Sequence, residues 1–317
     1  MSDFNRSGLN EPNVFETNLR TVNVFDSCLY DTRAQDLKSL LDLYGGANAA
    51  YSLRQISATG RGSVTETEAT YLMPVVRVRR DSDNAEKSFN SDEVKAGHLL
   101  SWVTATSGTA NGYVSKWYDQ SGTNNDAVQA TAGAQPKIID TGVFVVDGNG
   151  NKAVKFDGSD DFLGASVSIS NQPLTLFGVG DIVDATTTQG GLISLATNNF
   201  NEYNTIQYNG TTAYATARSS NSLVDILALS NATNVALYTW ILESNSSRKI
   251  YSNGTLSGTN TVTLNNWTGT NIFLGKMRAG GLFAKIFVTE AILYDSDQSS
   301  NRTGIESNIA AAYGITI

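Results

Sequence analysis

Two acidic loops hold the residue types best suited to chemistry in this 317-residue sequence. The first runs through WYDQSGTNND, where Asp119 and Asp126 sit among Gln120, Ser121, Asn124 and Asn125. The second is FDGSDDF, with Asp157, Asp160 and Asp161. Ca²⁺ is a hard cation that takes about six to eight oxygen ligands, and both loops are rich in oxygen. Asp119, Asp126, Asp157 and Asp160 are therefore the candidate metal ligands. No EF-hand spacing accompanies them, and Asp/Asn/Gly loops most often satisfy their own turns. The expectation is a chain with no resident cofactor, Ca²⁺ being the one ion its loops could take.

A second group of candidates is aromatic. Trp117, Tyr118, Tyr203, Tyr208 and Trp267 have polar sequence neighbours. An exposed ring can stack on the C–H face of a sugar while nearby amides read its hydroxyls, so these five are the candidate carbohydrate contacts. Trp117 and Tyr118 are adjacent on an expected strand, which lets only one of them point outward. Other catalytic groups are scarce. His98 is the only histidine and Cys28 the only cysteine. A lone cysteine excludes an intrachain disulfide and a Cys-based metal site, and His98, on an expected helix with no Cys or His partner, gives metal binding or Ser-His-Asp catalysis no basis.

Composition points to an all-β protein. Charged residues make up 16% of the chain and glycine occurs 28 times, a profile of short strands joined by tight turns. The formal charge of −8 disfavours a nucleic-acid partner, since that affinity needs clustered Lys and Arg. Arg77, Arg79 and Arg80 form a short basic run, but Asp81, Asp83 and Glu86 follow and cancel its field. No long apolar run implies membrane insertion, and the polar start MSDFNRSGLNEPN lacks the pattern of a signal peptide.

The elements that must position these residues follow from periodicity. Residues 1–33 have no sustained period and read as an arm or anchor, and 34–317 as one sandwich domain. Leu37, Leu40, Leu41 and Tyr44 have helical spacing before Gly45–Gly46. A second helix is expected over 91–104, carrying Val94, Leu99, Leu100 and Val103 inward. From residue 113 on, strands recur every 8 to 14 residues with turn residues between them, which indicates a sandwich or barrel. Near the C-terminus Ile305, Ile309 and either Ala312 or Tyr313 mark a closing helix whose Arg302, Glu306 and Asn308 should face water.

With WYDQSGTNNDAVQATAGAQPKI (117–138), FDGSDDFL (156–163), YSLR, VRVRRDSDNAE and the run before AAAYG in view, residues 34–317 resemble two related groups. One is the concanavalin A-like lectin/glucanase superfamily in its laminin-G-like branch. The other is the catalytic domain of α-L-arabinofuranosidase B. The resemblance implies an all-β, concanavalin A-like antiparallel β-sandwich (jelly roll) with a few short helices, including a C-terminal one.

The arabinofuranosidase resemblance also implies two catalytic carboxylates. The family's vicinal Cys pair is replaced here by Leu192 and Ile193, which places the nucleophile near Asn199 or Phe200, with Glu202 close by. The acid/base position falls in LGKMRAGG, at Met277, Arg278 or Ala279. Neither carboxylate is matched, so the expectation is no enzyme. The sequence is read as a non-catalytic bacteriophage virion protein, a fibre, decoration or tail-associated subunit made in the host cytoplasm and displayed on the virion surface. Its expected partners are other virion subunits, through the arm, further copies of itself as a homo-oligomer, and host glycans. The alternatives are an arabinofuranosidase-type glycoside hydrolase and a soluble carbohydrate-binding lectin.

Overall fold

A computed structural model describes residues 39–57, 73–183, 189–220, 222–229 and 234–317. The arm expected over 1–33 lies outside the described residues. The unit Leu40–Ile317 is built almost entirely from antiparallel strands.

Backbone pairing runs through two series of strands. In the first, Thr255–Asn260 pairs with Ser247–Ser252, then Ala236–Ser244, Leu174–Ile182 and Lys285–Tyr294. The far edge of Lys285–Tyr294 carries Ala47–Ser52 at one end and Val154–Asp157 at the other. In the second series Leu163–Ser170 pairs with Thr268–Leu274, then Gly190–Ala196, Tyr203–Asn209 and Thr212–Ser219. The two series lie face to face. A Cβ on Gly178 or Gly180 would come within 2.5 Å of the Leu192 methyls, so Leu192 of one layer seats against bare backbone of the other. Tyr208 meets Tyr238 across the same gap, edge to face, with ring centroids 5.9 Å apart. The expected all-β sandwich is the fold observed.

Alternation along the strands explains the core. Ile206 and Tyr208 of one strand and Ala213, Ala215 and Ala217 of the next point into the main apolar cluster, together with Leu192, Leu195, Trp240 and Leu293. A second cluster lies outside the first layer, where Phe177, Ile292 and Tyr294 receive Ile305, Ile309 and Tyr313 of the C-terminal helix Arg302–Tyr313. That helix stops at Gly314 in the left-handed region, φ 65°.

Two helical expectations need correction. The segment 91–104 is two helices, Ser91–Lys95 and His98–Thr104, broken at Gly97 with φ 84°. The first of them is capped by Asn90, in a capping box with Glu93. Glu306 does not face water: it is 1% exposed, accepts the Thr239 hydroxyl at 2.7 Å and pairs with Arg302 one turn back. Burial is the main influence on Glu306 and raises its pKa above the usual carboxylate range.

Candidate functional site

The strands Tyr203–Asn209 and Thr212–Ser219 have an apolar face on the core, so their other face would ordinarily meet solvent. It does not. Ser194, Thr205, Gln207 and Thr216 on that second face are at most 2% exposed. What covers them is the hairpin of Lys276–Arg278 and Gly281–Phe283. Its close approach depends on Gly190 and Gly191. A Cβ on Gly191 would lie 2.5 Å from Ser194 Oγ, 2.7 Å from the Lys276 carbonyl oxygen and 2.9 Å from Met277 Cα, and one on Gly190 would overlap the backbone at Phe283 and Ala284. The hairpin is pinned by Lys276, whose ammonium sits 4.2 Å from the Phe162 ring centroid, 4.9 Å from Phe273 and 5.5 Å from Phe283. Burial lowers the Lys276 pKa.

Between hairpin and sheet lies a cavity of about 200 Å³. Its polar wall is a chain of side chains. Gln189 Nε2 donates to Gln207 Oε1 at 3.2 Å, and Gln207 Nε2 donates to Thr216 Oγ1 at 2.7 Å. Its apolar wall is Tyr203, Met277 and Leu282, and Arg218 and Arg278 complete the lining. Arg278 Nη1 donates to the Phe200 carbonyl at 3.1 Å, and its guanidinium lies 5.7 Å from the Phe200 ring centroid. No carboxylate lines the cavity among the described residues. Glu202, next to Tyr203 in the chain, accepts the hydroxyls of Thr197 at 3.1 Å and Ser220 at 3.5 Å. The two segments in which the resemblance places catalytic groups, around 199–202 and 277–279, are joined by the Arg278–Phe200 hydrogen bond, and Tyr203, Met277 and Arg278 line the cavity.

The expected carbohydrate aromatics are placed differently. Trp117 and Tyr208 are fully buried in the main core, and Trp267 is 8% exposed in the same cluster. For Trp117 and Tyr208 polar sequence neighbours mislead because on a strand the neighbours face the opposite side. None of the three can stack on a sugar. Tyr203 is 4% exposed, packed with Phe273 and Met277, yet it lines the cavity. Tyr118 is half-buried, as the alternation with Trp117 requires, and borders a separate cavity of about 340 Å³ with Asp119 and Asp126.

The candidate metal ligands divide in the same way. Asp119 accepts five hydrogen bonds, from the N–H groups of Ala50, Ser121 and Asn125 and the hydroxyls of Ser121 and Thr123, at 2.7–3.0 Å. Asp126 accepts Lys116 Nζ at 2.9 Å and the Asp119 N–H at 3.0 Å. These bonds hold the loop in shape and account for both carboxylates without an ion. Asp157 and Asp160 do gather with Asp161, their oxygens within 4.8 Å of one another. Asp157 Oδ1 accepts the Ser159 N–H at 2.7 Å, and Asp161 Oδ2 accepts the Asp157 N–H at 3.1 Å. Burial, then the negative charge of Asp157, raises the Asp161 pKa to about 7.

Neither Arg218 nor Arg278 was singled out as a binding residue by sequence. The available signal was the Gly190–Gly191 pair beside the LGKMRAGG run, a sign of close backbone approach.

No protein-family model matches the sequence, and no curated protein matches it. Solved structures do match the fold. One is a glycoside hydrolase family 54 α-L-arabinofuranosidase soaked with a cyclic sulfate inhibitor, at TM-score 0.59 and 14% identity. Another is a glutamate-to-glutamine mutant of such an enzyme soaked with 4-nitrophenyl α-L-arabinofuranoside, at TM-score 0.62 and 15% identity. A third is an arabinofuranosidase complexed with arabinofuranosyl-α-1,2-xylobiose, at TM-score 0.53 and 15% identity. In each case the match covers 84% of this chain and 63% of the other, so the chain spans less than two thirds of their length. The fold is therefore one that glycosidases use, and the expectation of no enzyme, drawn from unmatched carboxylates alone, is overturned by these matches.

Proposed function

We propose that this chain is a carbohydrate-active β-sandwich of the arabinofuranosidase type, and that its sugar site is the cavity beneath the hairpin Lys276–Phe283. The observation that carries this reading is the buried polar face. Ser194, Thr205, Gln207 and Thr216 are sheltered from bulk water beside a cavity, where linked amides and hydroxyls suit the hydroxyls of a sugar. At about 200 Å³ the cavity is smaller than the roughly 300–1,000 Å³ of drug-sized ligand sites, so it takes one terminal ring rather than a chain. Tyr203, Met277 and Leu282 offer an apolar surface for the C–H face of that ring. Glu202, which precedes Tyr203 of the lining in the chain, is the candidate carboxylate for glycosidic cleavage.

Saturation-transfer NMR with a panel of free monosaccharides tests recognition. Wild type should bind at least one of them, and Gln207→Ala should weaken that binding by about tenfold, because Thr216 and Gln189 lose the amide that orders them. A panel that gives no transfer at all defeats the reading. Release of 4-nitrophenol from nitrophenyl glycosides tests cleavage. Turnover that survives in Glu202→Gln removes Glu202 from the chemistry.

A further inference from the structure

We infer that Phe200 is a stacking platform for a second sugar ring, so that this chain takes a terminal sugar together with the next unit of its glycan. The inference rests on the carbohydrate reading above and adds a residue that the cavity lining does not include. A space of about 200 Å³ holds one ring, and the unit bonded to that ring must lie outside it. Phe200 stands one residue beyond the cavity wall. Arg278 lines the cavity, donates from Nη1 to the Phe200 carbonyl at 3.1 Å and has its guanidinium 5.7 Å from the Phe200 ring centroid. Tyr203, three residues further along the chain, lines the cavity as well.

Single exposed apolar side chains are ordinary on protein surfaces, and exposure by itself would carry nothing. Phe200 differs in being seated. A Cβ on Gly280 would overlap the Phe200 ring, so the ring rests against bare backbone of the covering hairpin. Its own turn is fixed as well. The Thr197 N–H donates to the Glu202 carbonyl at 3.0 Å, the Asn199 N–H to Thr197 Oγ1 at 3.0 Å and the Asn201 N–H to Asn199 Oδ1 at 3.1 Å. Phe200 is nevertheless 53% exposed. The result is an apolar ring whose position is set before any ligand arrives, and a preorganised group loses little freedom on binding. The C–H face of a sugar stacks on such a ring, while the amides of Asn198 and Asn199, exposed beside it, can bond hydroxyls at the sugar's edge. The occupant is a second sugar because it is covalently tied to the first.

The test pairs single and double sugars on the intact wild-type chain by titration calorimetry and saturation-transfer NMR. Arabinose is set against arabinobiose, xylose against xylobiose, galactose against lactose and glucose against cellobiose. In at least one pair the disaccharide should bind about three- to tenfold more tightly, with saturation reaching the C–H protons of both rings. Phe200→Ala should bring the two affinities together and confine the transfer to one ring. Phe200→Trp should keep the advantage, and Gly280→Val, which pushes the ring off its seat, should reduce it. Equal affinities in every wild-type pair, or an advantage that survives Phe200→Ala, overturns this inference and leaves the carbohydrate reading standing. Absence of binding by every sugar, single or double, overturns both. The wild-type comparison needs no variant, so a variant that fails to fold does not obscure the result.

Discussion

The loop around Asp119 and the cavity around Arg218 and Arg278 are both polar regions at the margin of an apolar sandwich, and they differ in whether their polar groups have partners. At Asp119 one carboxylate takes five donors from four residues of the surrounding chain. Beside the cavity the Nε–H groups of Arg218 and Arg278 have none among the described residues. A satisfied cluster holds a loop in shape, whereas a buried donor without a partner contributes no such hold. Residue type alone would have ranked them the other way, since the Asp/Asn/Ser loop looks more like a ligand site than two separated arginines do.

Four substitutions test this contrast, in falling order of expected effect. Asp119→Ala strands donors on Ala50, Ser121 and Asn125, and urea unfolding should show a loss of about 2–4 kcal/mol. A loss under about 1 kcal/mol would mean that the loop does not depend on its carboxylate. Gly191→Ala pushes a methyl against the Lys276 carbonyl and Met277, so the hairpin must lift; the expected loss is about 1–3 kcal/mol, with sugar binding abolished.

Asp161 offers a test by pH. Its folded pKa of about 7 stands above the ordinary value of 3.8, so the folded chain binds the extra proton. The stability that this proton confers is complete below the unfolded value and is lost as pH rises through about 7. Asp161→Asn should flatten that slope and be more stable than wild type at pH 8 by about 1–2 kcal/mol, read from melting curves across pH. Parallel curves for the two proteins would show that Asp161 ionises like an exposed carboxylate. The smallest change in stability is expected for Arg218→Met. Deleting a buried donor that has no partner among the described residues should shift stability by less than about 1 kcal/mol in either direction. A loss as large as that of Asp119→Ala would reveal a structural partner for Arg218 and erase the contrast.

Much of the architecture was legible because it is periodic. Alternation gave the strands and placed Trp117 and Tyr118 on opposite faces, and Ile305, Ile309 and Tyr313 gave the C-terminal helix. Local chemistry was legible in part: the glycine-terminated helices were expected, but the break at Gly97 was not, since a lone glycine inside a helical pattern is compatible with either outcome. The burial of Tyr208 and Trp267 was hidden, because a ring's surroundings are set by the opposite sheet rather than by its sequence neighbours.

What the sequence determined by itself was the all-β sandwich, through strand periodicity and turn residues, and, through its lone cysteine, a chain with no intrachain disulfide. Only the tertiary structure decided which polar residues are satisfied. Residues 189, 207, 218 and 278 become neighbours when a hairpin closes over a sheet face, and whether a donor has its acceptor depends on what surrounds it in three dimensions.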